Sequence, residues 1–141
     1  MTSAKMELGN ISFAYDSAPI LKELSLFIQE SDFIGLIGPN GSGKSTLLKI
    51  MGGILKPDSG CIKFKGSETR RISKKIFAQS VSWIPQGNPM VFPFKVSEVV
   101  LMGRHPHLSA LSFESNEDFN ISQRAMETTM TSEFSERFFN E

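Results

Sequence analysis

Along the first half of the chain, apolar positions fall into short runs separated by turn-forming residues, the pattern of strands and brief helices. Residues 8–15 and 24–28 read as strands, with Asp16-Ser17-Ala18-Pro19 as the turn between them. So short a connection predicts an antiparallel pair. Phe33-Ile34-Gly35-Leu36-Ile37 is a continuous apolar run, suited to a strand buried on both faces of a sheet. Thr46-Leu47-Leu48-Lys49-Ile50-Met51 carries apolar residues at helical spacing, and Lys56-Pro57-Asp58-Ser59-Gly60 stops that element with Pro and Gly. A strand over 61–65 closed by Gly66, a short helix over 72–79 and a strand over 81–84 stopped by Pro85 follow.

From residue 87 the character changes. Residues 87–94 contain Gly87, Pro89 and Pro93, which predicts a loop and a hinge between subdomains. Residues 96–102 have helical periodicity, with Ser97 resembling a cap and Gly103 and Pro106 as the stop. A polar linker over 112–118 leads to a helix over 119–130 and a shorter one over 132–139, so the tail is expected to be helical and not sheet-forming. The resulting organisation is residues 1–90 as one part and 91–141 as a second, with no internal repeat and no low-complexity segment.

The join between the apolar run at 33–37 and the helix is the stretch that changes the picture. Gly38-Pro39-Asn40-Gly41-Ser42-Gly43-Lys44-Ser45-Thr46 satisfies G-x-x-x-x-G-K-[ST], a phosphate-binding loop when it leaves a strand and opens a helix. Glycine lacks a Cβ and reaches positive φ, so successive backbone N–H groups can converge on an anion. The helix start adds unpaired N–H groups and roughly half a positive charge. Lys44 would reach the β/γ-phosphates, and Ser45 would offer its hydroxyl to Mg²⁺.

Composition narrows the rest. At 141 residues the chain has the length of one domain and can bury roughly two-thirds of its unfolded surface. Lys plus Arg equals Asp plus Glu at 15 each, so no overall field favours nucleic acid or an acidic membrane surface. The one basic concentration, Lys63, Lys65, Arg70, Arg71, Lys74 and Lys75, reads as a solvated face. The single Cys61 cannot form an internal disulfide, and its flanks Gly60 and Ile62 suggest a buried strand residue in a reducing compartment. There is no apolar run of membrane-spanning length and residues 1–7 lack the features of a signal peptide, so the expectation is a soluble cytoplasmic chain. His105 and His107 have no third ligand nearby and read as loop histidines.

In their order along the chain these motifs resemble the ATP-binding subunit of ABC transporters, a family with a P-loop NTPase fold of α/β class. Residues 36–46 match the family's phosphate loop, and Gly52-Gly53-Ile54-Leu55-Lys56-Pro57-Asp58-Ser59-Gly60 resembles its turn after the loop helix. The resemblance implies antiparallel strands at the start, a parallel sheet incomplete over these residues, and the beginning of a helical subdomain. It implies that Tyr15 stacks on adenine, a contact worth about 1–3 kcal/mol by analogy with base stacking. Val81-Ser82-Trp83-Ile84-Pro85-Gln86 looks like the strand entering the family's glutamine loop, which gives Gln86 a role at Mg²⁺ or the attacking water. The segment from Phe92 to Leu108, with V-x-x-V-V-x-x-G-R-x-P at its centre, is similar to the importer branch for iron chelates, haem and cobalamin. ATP and Mg²⁺ are the implied ligands, and a transmembrane permease and a second ATP-binding subunit are the implied partners, at the inner face of the cell membrane.

The 141 residues contain no L-S-G-G-Q-like segment, no apolar run ending in Asp-Glu and no switch His after one. Gly52-Gly53 is the only Gly pair. The stretch from Ala125 to Glu141 resembles what precedes the family's signature. The expectation is a fragment that binds Mg-ATP but hydrolyses poorly, since a missing general base typically costs 10²–10⁴-fold. The alternative is a non-catalytic nucleotide-binding module that works with a separately encoded partner half. A GTPase or small-molecule kinase fits less well. Asp32-Phe33-Ile34-Gly35 imitates D-x-x-G but precedes the loop, and no N-K-x-D follows.

Overall fold

β1 (Met6–Tyr15) is the strand about which the first part of the chain is arranged. In the computed structural model, which describes residues 5–87, 92–109 and 111–140, a four-stranded sheet has the order β2-β1-β3-β4. Here β2 is Ala18–Ile28, β3 is Ser59–Phe64 and β4 is Ser67–Glu68. Every pairing in it is antiparallel. Four α-helices accompany it among the described residues: α1 (Lys44–Met51), α2 (Lys74–Ala78) and, after residue 92, α3 (Val96–Met102) and α4 (Asn116–Thr128), the longest. The chain divides into two compact units between Trp83 and Ile84. The expected boundary between 90 and 91, and half of the expected hinge loop, lie outside the described residues.

β1 does not alternate strictly. Met6 and Leu8 are buried, then Ile11 and Phe13, a change of phase by one residue at Asn10, whose φ is +52°. That is a β-bulge, and the ladder to β2 breaks its register between Leu8 and Ile11. Side chains fill the broken ladder. The Ser25 hydroxyl accepts from the Asn10 N–H at 2.9 Å, the Ser12 hydroxyl from the Glu23 N–H at 3.0 Å, and the Asp58 carboxylate from the Ala14 N–H at 2.8 Å. Opposite the bulge stands Gly60 at φ +89°, where a Cβ would come within 2.5 Å of the carbonyl oxygens of Gly9 and Asn10. Only glycine lets β3 approach there.

The bulge keeps Met6, Leu8, Ile11 and Phe13 on one face, where they form a core with Leu21, Ile62, Phe64, Leu47 and Ile50 of α1, and Phe77 of α2. Phe64 and Phe77 meet edge to face at 5.4 Å. Ile62 and Phe64 point inward, so the period of two turns Cys61 outward, and it is exposed, not buried as its flanks suggested. The turn after β1 is also tighter than expected: Tyr15 pairs with Ala18 across Asp16 and Ser17. Pro19 falls within β2, which lies at the edge of this sheet and tolerates a residue that cannot donate. Lys63 is paired with Glu7, and Arg70 and Arg71 with Glu68, as befits a solvated face.

Residues 33–37 are not a strand, and neither are 81–84. No parallel pairing occurs among the described residues, and neither segment is hydrogen-bonded into the described sheet. Phe33 and Ile37 are fully exposed in consequence, although Leu36 and Val81 still pack on the core.

In the second unit α3 and α4 pack on each other, and backbone at 135–139 runs beside the start of α3. The Val96 and Ser97 N–H groups, which a helix start leaves without partners, donate to the carbonyls of Arg137 and Ser135 at 3.0 and 3.1 Å. Ser97 is therefore not a cap. Its hydroxyl donates to the Ser135 carbonyl, while the Lys95 N–H is taken by Glu98. The expected helix over 132–139 is reduced to one 3-10 turn, and Phe138 bridges to Lys95 as in a sheet. At the start of α4, Ser115 and Asp118 cap each other and Arg104 donates to Asp118 at 2.9 Å.

Two stability experiments follow. Gly60→Ala should lower unfolding free energy by about 2–4 kcal/mol through clash and positive φ together. Gly66→Ala, at φ +78° with nothing within 4 Å, should cost only about 1 kcal/mol, and equal losses in denaturant titrations would contradict the close-approach account. The Asp118 carboxyl is held down at about 2, from an ordinary 3.8, first by the Ser115 hydroxyl, then by the Ser115 N–H and Arg104. A depressed carboxyl stabilises the folded state above its unfolded value, and that contribution is lost as pH falls from about 4 towards 2. The gap in thermal midpoint between the wild type and Asp118→Asn should therefore close over that interval; a gap that stays constant would rule out the carboxylate as its source.

Candidate functional site

The residues 38–46 form a turn that enters α1 through Gly43, whose φ is +88°. A Cβ at Gly43 would lie 3.0 Å from Ile20 Cγ2 and 3.0 Å from Leu21 Cδ2, so the loop rests directly on β2. Gly41, at φ +82°, has open space around it. Leu47 N–H donates to the Gly43 carbonyl at 2.8 Å and begins the helical ladder. No side chain caps the helix start, and its first turn carries no acidic residue. The positive end of α1 therefore has no carboxylate of its own first turn to neutralise it. Thr46, Leu47 and Ile50 are buried and fix the helix, while Ser45 is exposed.

The Lys44 side chain turns back over this loop. Its ammonium donates to the Gly38 carbonyl at 2.8 Å, the Pro39 carbonyl at 2.7 Å and the Ser42 hydroxyl at 3.3 Å. The Ser42 N–H donates to the Pro39 carbonyl at 3.3 Å and tightens the turn. Asn40 is exposed at its tip. Loop N–H groups, a helix start and one ammonium thus occupy a single short segment, an arrangement able to bind a compact polyanion.

The other two sequence-predicted residues are placed differently. Tyr15 ends β1 in the same unit as the loop, 45% exposed, with its ring edge to face against Phe13 at 4.9 Å. It is neither submerged in the core nor free of it. Gln86 follows Pro85 as an exposed residue of the second unit. Ile20 and Leu21, the floor beneath Gly43, were not singled out from sequence, and no local signal marks a contact made only by folding. A shallow concavity of about 460 Å³ lies by Ser12, Phe13, Leu21 and Asp58. Its Ser12 hydroxyl and Asp58 carboxylate already accept N–H groups of the irregular β1–β2 ladder.

The sequence profile of the family described as ABC transporter matches residues 21–141. The cobalamin import ATP-binding protein BtuD of Halobacterium salinarum is 35% identical over 118 residues, 84% of this chain and 29% of that protein. The iron(3+)-hydroxamate import ATP-binding protein FhuC of Bacillus subtilis is 33% identical over 127 residues, 90% of this chain and 47% of that protein. The chain thus spans less than half the length of either relative. Among solved structures, the dimeric post-hydrolysis state of an ATP-binding cassette with ADP and phosphate superposes with a TM-score of 0.80 at 22% identity, over 96% of this chain and 62% of that one. That likeness establishes the fold. With a phosphate-loop motif entering α1 as the motif requires, and a family match over most of its residues, this chain belongs to the ABC transporter family and has the fold of its ATP-binding subunits.

Proposed function

We propose that this chain is the nucleotide-binding part of an ATP-binding subunit that serves importers of iron chelates, haem or cobalamin. The observation that carries the reading is the loop itself, with positive-φ Gly41 and Gly43 leading into α1 and the Lys44 ammonium folded back onto the Gly38 and Pro39 carbonyls. In this reading the loop of Gly38, Pro39, Asn40, Gly41, Ser42, Gly43, Lys44, Ser45 and Thr46 encloses the phosphates of ATP through its backbone N–H groups and the Lys44 ammonium, and half-exposed Tyr15 offers a ring face to adenine. The exposed hydroxyl of Ser45 fits a hard cation, and the family resemblance gives Gln86 a role towards Mg²⁺ as well. Bound Mg²⁺ supplies charge neutralisation at the phosphates. The segment from Phe92 to Leu108 and the import functions of the relatives support the substrate class. A transmembrane permease and a second ATP-binding subunit are the partners, and the place of work is the inner face of the membrane. None of the described helices is long and apolar enough to cross a membrane.

These 141 residues on their own should bind Mg-ATP and hydrolyse it poorly, because the signature, the apolar segment ending in Asp-Glu and the switch His are not among them. The second reading, a module completed by a separately encoded half, is favoured by the full exposure of Phe33 and Ile37. It requires a second polypeptide that restores hydrolysis on mixing, and a purified chain with full turnover alone would exclude it.

Equilibrium binding of Mg-ATP to the purified chain, beside Lys44→Ala, tests the proposal. Loss of a charge-assisted contact should weaken binding about 10–100-fold, with turnover near background in both proteins. Equal affinity in the two would overturn the loop assignment, and a clear preference for GTP would overturn the adenine role of Tyr15.

A further inference from the structure

An ammonium group has three N–H donors and no acceptor. In this loop all three donors of Lys44 are used internally, on the Gly38 carbonyl, the Pro39 carbonyl and the Ser42 hydroxyl. A phosphate oxygen can receive a hydrogen bond from Lys44 only after one of these three is given up. The three are not equal. The two carbonyl contacts measure 2.8 and 2.7 Å, whereas the contact to Ser42 measures 3.3 Å and is the weakest by geometry. The carbonyls are fixed in the backbone, while the serine hydroxyl can leave by rotation about one bond.

A second feature fixes where the Ser42 hydroxyl sits. Its Oγ would lie 2.8 Å from a Cβ at Gly38, so the hydroxyl sits where any side chain at position 38 would stand. Gly38 thus leaves room for the hydroxyl that Lys44 contacts.

We propose that the Ser42 hydroxyl is an internal stand-in for a phosphate oxygen, holding the third donor of Lys44 until a polyphosphate displaces it. Ser42 is then a positioning residue that opposes binding slightly while keeping the ammonium inside the loop. The inference rests on the nucleotide-binding reading of the same loop, and its predicted sign is opposite to that of a residue that contacts phosphate directly.

The test compares the wild type with Ser42→Ala and with Ser42→Thr, which keeps the hydroxyl, after thermal unfolding shows that all three fold. Two quantities are measured: affinity for Mg-ATP and for inorganic tripolyphosphate, and the rate of Lys44 acylation by a small activated ester without nucleotide. Lys56, which is exposed, serves as the reference for acylation. Ser42→Ala should bind both polyphosphates about threefold more tightly and should acylate at Lys44 about threefold faster relative to Lys56, the size of one weak hydrogen bond. Ser42→Thr should stay with the wild type. Unchanged acylation would show that Ser42 does not hold Lys44, and weaker affinity would show that Ser42 itself grips phosphate; either result overturns the proposal. If the wild type binds neither polyphosphate while Ser42→Ala still acylates faster, the nucleotide reading fails and the hold of Ser42 on Lys44 stands.

Discussion

The bulge in β1 is the constraint on which the first unit depends. β1 is hydrogen-bonded on both edges, and an unbroken period of two would carry either Met6 and Leu8 or Ile11 and Phe13 to the outer face. One extra residue at Asn10 brings all four to the same side, and the core that receives Leu47 and Ile50 of α1 exists because of it. The bulge survives because Gly60 leaves space opposite and because Ser25, Ser12 and Asp58 accept the N–H groups that the irregular ladder leaves over.

From that core the phosphate loop inherits its position. α1 is only eight residues long, too short to hold its shape in isolation, so its orientation comes from burial of Thr46, Leu47 and Ile50. Gly43 then presses on Ile20 and Leu21, which fixes where the chain enters the helix. The loop is therefore anchored at its helical end by packing and tied across its own backbone by Lys44, with its tip at Asn40 and Gly41 left in solvent.

Much of this was legible in the sequence, and the rest has identifiable physical reasons for being hidden. The loop motif, the antiparallel opening pair and the helices after it follow from local spacing and turn chemistry. The outward face of Cys61 was misjudged because burial was inferred from its neighbours' identities; the alternation of Ile62 and Phe64 already carried the answer. The three-residue step from Leu8 to Ile11 likewise announces a bulge, once period two is required to hold on either side. Residues 33–37 and 81–84 have the composition of buried strands, but a strand is a property of two segments, and neither one is paired with a strand of the described sheet. The contact of Gly43 with β2 and the pairing of Lys95 with Phe138 join residues far apart in sequence, where no local pattern reaches.

The way α3 begins has a consequence for the order of events during synthesis. Its first N–H groups are satisfied by carbonyls of Ser135 and Arg137, and Lys95 and Glu136 meet at 2.6 Å across 41 positions of sequence. Such a closure is entropically slow, and it can happen only after the later segment has left the ribosome. At the usual pace of about 5–20 residues per second, α3 waits on the order of several seconds with its starting N–H groups bonded only to water. The described core of the first unit draws on no residue later than Val81, so it can assemble while the second is still being made.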